Sequence, residues 1–290
     1  MPVFKHDGLE LFYEDSGAAA DTADTADMAD ARKPPLLFLP GLGGASQLWP
    51  TVISRFEAAY RVIRLDNRGA GRSRPLDCEV SLELLATDCL ALLDQLGCRQ
   101  ATLIGQSLGG QIALAVAGRA PERVTGLVLC ASAPCLNEAQ RALLRAWAAE
   151  YRSAALTDPT GTDLAQQTER LGRQLDWLLA PRLLANPANR AVAVRSSLAA
   201  YSAAAAAGYC AQAEAACALD LWASLPYIQA PCLVLAGAED RLFPPADQEK
   251  MAARLPRGRL QVIAGAGHSL PQEQPLAFYR AVEAWLDQPN

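Results

Sequence analysis

The chain has 290 residues, 51% of them hydrophobic and 20% charged, with a net charge of −5. This is enough apolar material for one large core or two smaller ones, and an acidic balance without a local run of Lys or Arg excludes an electrostatic footprint for nucleic acid. Only two histidines occur, His6 and His268, so a multi-histidine metal centre is excluded and any histidine-dependent chemistry must use one of these two positions.

In chain order, two strand-like runs, Pro2 to Asp7 and Leu9 to Glu14, flank Asp7-Gly8, a dipeptide that signals a tight hairpin. Residues 18–31 read AAADTADTADMADA. This low-complexity stretch reads as a loop inserted after the hairpin, with a short acidic helix as the alternative, and no function is assigned to it. An alternation follows. Leu36–Pro40 reads as a strand, then comes a glycine-rich turn and a helical segment around Ser46–Ala58. Arg61–Asp66 is the next strand. Ser81–Leu96 is a helix with Ser81 as N-cap, Glu83 in the first turn and Gly97 at its end. Ala101–Gly105 and Val124–Ser132 are strands around the helix Leu108–Gly118. After a gap, Cys232–Gly237 and Arg259–Ala264 are strands and Pro245–Leu255 and Gln274–Leu286 are helices. Apolar strands alternating with amphipathic helices predict an α/β fold whose mostly parallel sheet is covered on both faces.

Residues 136–225 break this rhythm, with 26 alanines, no phenylalanine, and apolar residues such as Leu143, Leu144, Trp147 and Tyr151 at helical spacing. They are expected to form a helical insertion, dividing the chain into a first core part (1–135), the insertion (136–225) and a second core part (226–290).

Eight cysteines lie at positions 78, 89, 98, 130, 135, 210, 217 and 232 with no C-x-x-C spacing. Structural zinc is therefore not indicated, and the thiols are expected to be reduced and mostly buried. The opening MPVFKHDGLE has no apolar signal-peptide region, and no stretch approaches 18 uninterrupted apolar residues. A cytoplasmic protein without a membrane partner is expected, either a monomer or a homodimer.

The chemistry is concentrated in three places. Gly105-Gln106-Ser107-Leu108-Gly109 is a G-x-S-x-G pattern that directly follows an apolar strand and opens a helix. In this setting the serine occupies a sharp turn with its hydroxyl exposed, at a helix N-terminus that favours developing negative charge. A serine hydroxyl needs a base. His268, in the small-residue loop after the last strand, is the choice, because His6 lies in the first hairpin. The imidazole needs a carboxylate to fix its tautomer. Asp240, just after the Cys232–Gly237 strand, is the choice, with Glu239 as the local rival. An oxyanion needs backbone donors. These are expected from Leu108, the residue after the nucleophile, and from Leu42 in Pro40-Gly41-Leu42-Gly43-Gly44. Trp49 is read as core packing.

These residues together resemble the α/β-hydrolase superfamily over nearly the whole chain. The resemblance rests on Pro40-Gly41-Leu42-Gly43, on Asp66-Asn67-Arg68-Gly69-Ala70-Gly71-Arg72-Ser73, on the Gly105–Gly110 elbow, on Gly237-Ala238-Glu239-Asp240 and on Gly267-His268. Pro40 stands where the family often carries histidine. The Asp66–Ser73 segment looks like a structural turn of the family. The resemblance implies an eight-stranded sheet with residues 136–225 as a cap over the active site, and it is nearest to esterase and enol-lactonase-like members. Ser107 sets the chain apart from the haloalkane dehalogenase and epoxide hydrolase branches, which place Asp at the elbow. The expected activity is cofactor-free and metal-free hydrolysis, through an acyl-enzyme, of a carboxylic ester or lactone that is small to medium and fairly apolar. Cleavage of a C–C bond, thioester or amide by the same triad is the alternative, and a non-catalytic ligand-binding protein is the reading of a different class. Gln106, Trp147, Tyr151, Trp177, Tyr201 and Tyr209 are candidates for the pocket wall, the five aromatics being read more readily as core of the inserted helices than as substrate contacts.

Overall fold

A computed structural model describes residues 2–17, 33–158, 160, 162–200 and 203–288. The low-complexity stretch 18–31 and Tyr201 lie outside the described residues. Eight strands form one sheet in the order β1-β2-β4-β3-β5-β6-β7-β8: β1 Val3–His6, β2 Leu9–Asp15, β3 Pro35–Leu39, β4 Arg61–Leu65, β5 Ala101–Gln106, β6 Val124–Cys130, β7 Cys232–Gly237 and β8 Gly258–Ile263. The β1–β2 and β2–β4 pairs are antiparallel, and the other pairs are parallel. Asp7 and Gly8 both have positive φ, 51° and 74°, as a two-residue primed turn requires.

The helices are α1 Leu82–Gln95, α2 Leu108–Arg119, α3 Glu138–Thr157, α4 Leu164–Leu178, α5 Pro181–Leu184, α6 Pro187–Ala200, α7 Ala206–Ala218, α8 Pro245–Arg254, α9 Leu270–Glu273 and α10 Pro275–Leu286. Ser81 caps α1 through its hydroxyl, which accepts from the Leu84 amide. The expected helix around Ser46–Ala58 is instead two 3₁₀ segments, Ser46–Leu48 and Thr51–Ala58. Pro50 separates them, since it lacks an N–H and its φ is fixed.

Side chains alternate along the central strands and so build two cores. Leu37, Leu39, Leu103, Leu127 and Leu129 join Leu85, Leu92 and Ile112 of α1 and α2 on one face. Leu36, Phe38, Ile104, Val128 and Leu235 join Phe56, Phe278, Val282 and Trp285 on the other. Trp49 belongs to this second core, edge-on to Phe38. The parallel strands β3, β5, β6 and β7 carry no charged residue, which is the pattern of strands covered on both sides.

Helices α3 to α7 lie in sequence between β6 and β7. Asn137 opens α3 with a reciprocal capping box to Gln140. The eight cysteines are unpaired. Burial pushes the Cys232 thiol up to about 12 against the lowering effect of Arg257, and burial alone pushes that of Cys130 higher still. Among the described residues no helix is long and apolar enough to cross a membrane.

Candidate active site

The site is assembled by loops at the carboxyl ends of β3, β5, β7 and β8. Ser107 occupies the turn between β5 and α2 with φ 54° and ψ −118°, a conformation that costs of order 1–3 kcal/mol in a non-glycine residue. The surroundings hold it there. The Ser107 amide donates to the Cys130 carbonyl at 2.9 Å, and its carbonyl accepts from the Ser132 hydroxyl at 2.8 Å and the Gly110 amide at 2.9 Å. Gly109 sits so close to the end of β3 that a Cβ there would collide with the Leu39 carbonyl, so glycine is required at that position for the turn to seat on the sheet. Leu108 is the first residue of α2, and the amides of a helix's first turn have no acceptor within the helix.

Asp240 and His268 arrive from the turns after β7 and β8, and both are 4% exposed. Asp240 Oδ1 accepts from the amides of Leu242 and Phe243 at 2.9 and 2.8 Å. This fixes the carboxylate and leaves Oδ2 for His268 Nδ1, 3.1 Å away. His268 Nε2 lies 3.0 Å from Ser107 Oγ. A carboxylate cannot donate, so Nδ1 carries the proton and Nε2 is left to accept from the serine hydroxyl. Glu239, the rival acid, pairs instead with Arg182 at 2.9 Å. The arrangement can draw a proton from Ser107 and hold the resulting imidazolium against a buried anion.

The third loop is Gly41–Gly44. The Gly44 amide closes it onto the Gly41 carbonyl at 2.9 Å, and Gly43 has φ 66°, the geometry of a type II turn. Gly41 backs onto the serine: a methyl at that position would lie 3.3 Å from Ser107 Cβ. The Asp66–Ser73 turn supports the same region. Asp66 accepts from the Ser46 amide at 2.6 Å and the Arg72 amide at 2.8 Å, and the Asn67 side chain donates to the Pro40 carbonyl at 3.3 Å.

The residues named as pocket walls fall in different places. Gln106 exchanges hydrogen bonds with Gln272, at 3.1 Å in one direction, and donates to the His268 carbonyl at 3.3 Å; its amide braces the histidine loop. Trp147 is buried in the larger core. Tyr151 on α3 stacks on Tyr209 of α7, with centroids 3.9 Å apart, and the Arg170 guanidinium lies over the Tyr151 ring, 4.0 Å from its centroid. Trp177 lies under the Arg241 guanidinium.

Two positioning side chains are absent from the sequence reading. Glu273 accepts from the Gly267 amide, beside His268, at 2.9 Å and from the Ala180 amide at 2.8 Å. Burial raises its carboxyl above the usual range, against the lowering effect of those two amides. Gln212 on α7 accepts from the Gly43 amide at 2.8 Å and donates to the Arg68 carbonyl at 2.8 Å. Neither belongs to a local motif. Their partners are distant backbone groups, and no spacing rule encodes such pairs.

Comparison with known proteins gives the family. Residues 34–275 match the family model described as alpha/beta hydrolase fold. The chain is 32% identical to 3-oxoadipate enol-lactonase 2 of Acinetobacter baylyi over the full length of both proteins. Among solved structures it is similar to the enol-lactonase of Burkholderia xenovorans LB400, with a TM-score of 0.81 at 24% identity over 99% of this chain and 100% of that one. It is also similar to a thermophilic esterase of Thermogutta terrifontis, with a TM-score of 0.77 at 27% identity over 98% and 96%. The chain belongs to the alpha/beta-hydrolase fold family and is a hydrolase of that fold.

Proposed function

We propose that this protein hydrolyses a carboxylic ester or lactone, small to medium in size and fairly apolar, through an acyl-enzyme. The observation that carries the reading is the unbroken line from Ser107 Oγ through His268 to the doubly amide-held Asp240. Ser107 attacks the carbonyl carbon while His268 Nε2 takes its proton. Asp240 keeps the imidazole oriented and offsets its charge. The amides of Leu42 and Leu108 face the developing oxyanion. His268 then returns the proton to the leaving oxygen, activates a water, and the acid is released. Helices α3 to α7 serve as a cap that shapes the acyl or lactone pocket. The names of the relatives, an enol-lactonase and an esterase, favour an oxygen ester over the amide, thioester and C–C alternatives. The site needs no metal or cofactor for this sequence of steps. The partner is a small-molecule substrate.

Labelling with an alkyl fluorophosphonate tests the nucleophile. The wild type is expected to label at Ser107 and Ser107→Ala not at all; an unlabelled wild type at neutral pH overturns the reading. A panel of p-nitrophenyl esters of rising chain length, run beside simple lactones, then ranks the substrate classes.

A further inference from the structure

We infer that Gln212, a residue of the inserted helices, is a positioning residue for the oxyanion loop, so that the cap sets transition-state stabilisation as well as pocket shape. This rests on the hydrolase reading given above. Gln212 is fully buried, at 0% exposure, and both ends of its amide are used. Its oxygen takes the Gly43 amide and its nitrogen gives to the Arg68 carbonyl. It thus joins α7 to two loops at once, Gly41–Gly44 and Asp66–Ser73.

The contact falls where it has leverage. In the Gly41–Gly44 turn the outer hydrogen bond, Gly44 to Gly41, leaves the central Leu42–Gly43 peptide unpinned. A type II turn converts to type I by rotating that central peptide, and the Gly43 amide would then leave Gln212. Holding that amide therefore fixes the peptide that follows Leu42 and, through it, the seat of the loop that carries the Leu42 N–H beside Ser107. Neighbouring packing supports the same constraint. The Tyr209 ring lies against Gly43 so closely that a Cβ there would overlap it, and Gly208 meets the backbone of Gly69 with no room for a side chain. Helix α7 is thereby seated against both loops, and Gln212 is the hydrogen-bonding member of that seat.

An oxyanion donor acts on charge that develops only in the transition state, so its misplacement lowers kcat and leaves KM nearly alone. Replacing Gln212 by the similarly shaped Met removes both bonds. Gln212→Met is expected to lower kcat for p-nitrophenyl butyrate by about 10- to 100-fold, less than outright loss of a donor, with KM within about threefold. The rate of fluorophosphonate labelling should fall in parallel, because the phosphoryl oxygen uses the same donors. Arg190→Met is the control for loosened helices. It breaks the Arg190–Asp176 pair between α6 and α4, touches no site loop, and should lower stability while keeping kcat.

A labelled and active wild type with an unchanged Gln212→Met overturns the role of Gln212 and leaves the hydrolase reading standing. A raised KM with unchanged kcat overturns it too, since that marks ground-state packing. An unlabelled wild type overturns both. Should Gln212→Met fail to fold, hydrogen exchange of the wild type decides: a Gly43 amide protected like the amides of α7 supports the inference, and a freely exchanging one overturns it.

Discussion

The molecule contains two histidine–aspartate pairs, one at each end of the chain. At the carboxyl edge of the sheet, His268 meets Asp240 at 3.1 Å. In the first hairpin, His6 Nε2 lies 3.8 Å from Oδ1 of Asp88, whose side chain is 1% exposed. Both aspartates are buried, yet the pairs differ in what else holds the carboxylate. Asp240 is held by two neutral amides on one oxygen, so its charge and its second oxygen remain for the imidazole. Asp88 is gripped on both oxygens by the Arg68 guanidinium, at 2.7 Å each. Its charge is already matched, and His6 stays beyond hydrogen-bond distance on a half-buried strand. The two pairs are thus distinguished by the third partner of the carboxylate, not by the proximity of an imidazole and a carboxylate.

The contrast can be broken in three ways. His268→Ala should give the largest effect, a fall in kcat of roughly four to six orders of magnitude, read with p-nitrophenyl butyrate on protein whose circular dichroism is unchanged. Adding Ser107→Ala should cost little more, because the members act as a unit. Arg68→Met tests the structural pair. It strands the Asp88 carboxylate in the core, and an uncompensated buried charge of this kind costs about 3–5 kcal/mol, measurable as a lower urea midpoint. His6→Ala should give the smallest effect: kcat within about twofold, and stability within the roughly 0.5 kcal/mol usual for substitutions away from special features. A large loss of activity in His6→Ala would reverse the assignment of the two pairs.

The strands and the meeting of Ser107, His268 and Asp240 at their carboxyl ends were legible because each is encoded locally. A strand buried on both faces must be uniformly apolar, as β5 and β7 are. An elbow pressed against a neighbouring strand must be glycine, as at Gly109. The choice between Asp240 and Glu239 was less legible. Both follow β7 within the same turn, and only the three-dimensional path of Arg182, which takes Glu239, separates them. The inserted helices were hardest to read. Their alanine-rich sequence fixes helical periodicity but not which residue faces what, so nothing local marks Gln212 as the side chain that reaches the Gly43 amide. The 3₁₀ segments around Pro50 show a related gap, since periodicity over so short a span does not distinguish the two helix types.

The inserted helices are fastened to three of the four loops of the site. Gln212 reaches the glycine turn, Gln140 donates to the Leu242 carbonyl beside Asp240 at 2.6 Å, and the Ser269 amide, next to His268, donates to the Leu178 carbonyl at 2.8 Å. For protein engineering this makes the helices a poor module to transplant. A foreign set grafted between β6 and β7 would remove three anchors of the loops that hold Ser107, His268 and Asp240 together. The natural unit of exchange is smaller: individual side chains of these helices, with Gln140, Leu178 and Gln212 left in place.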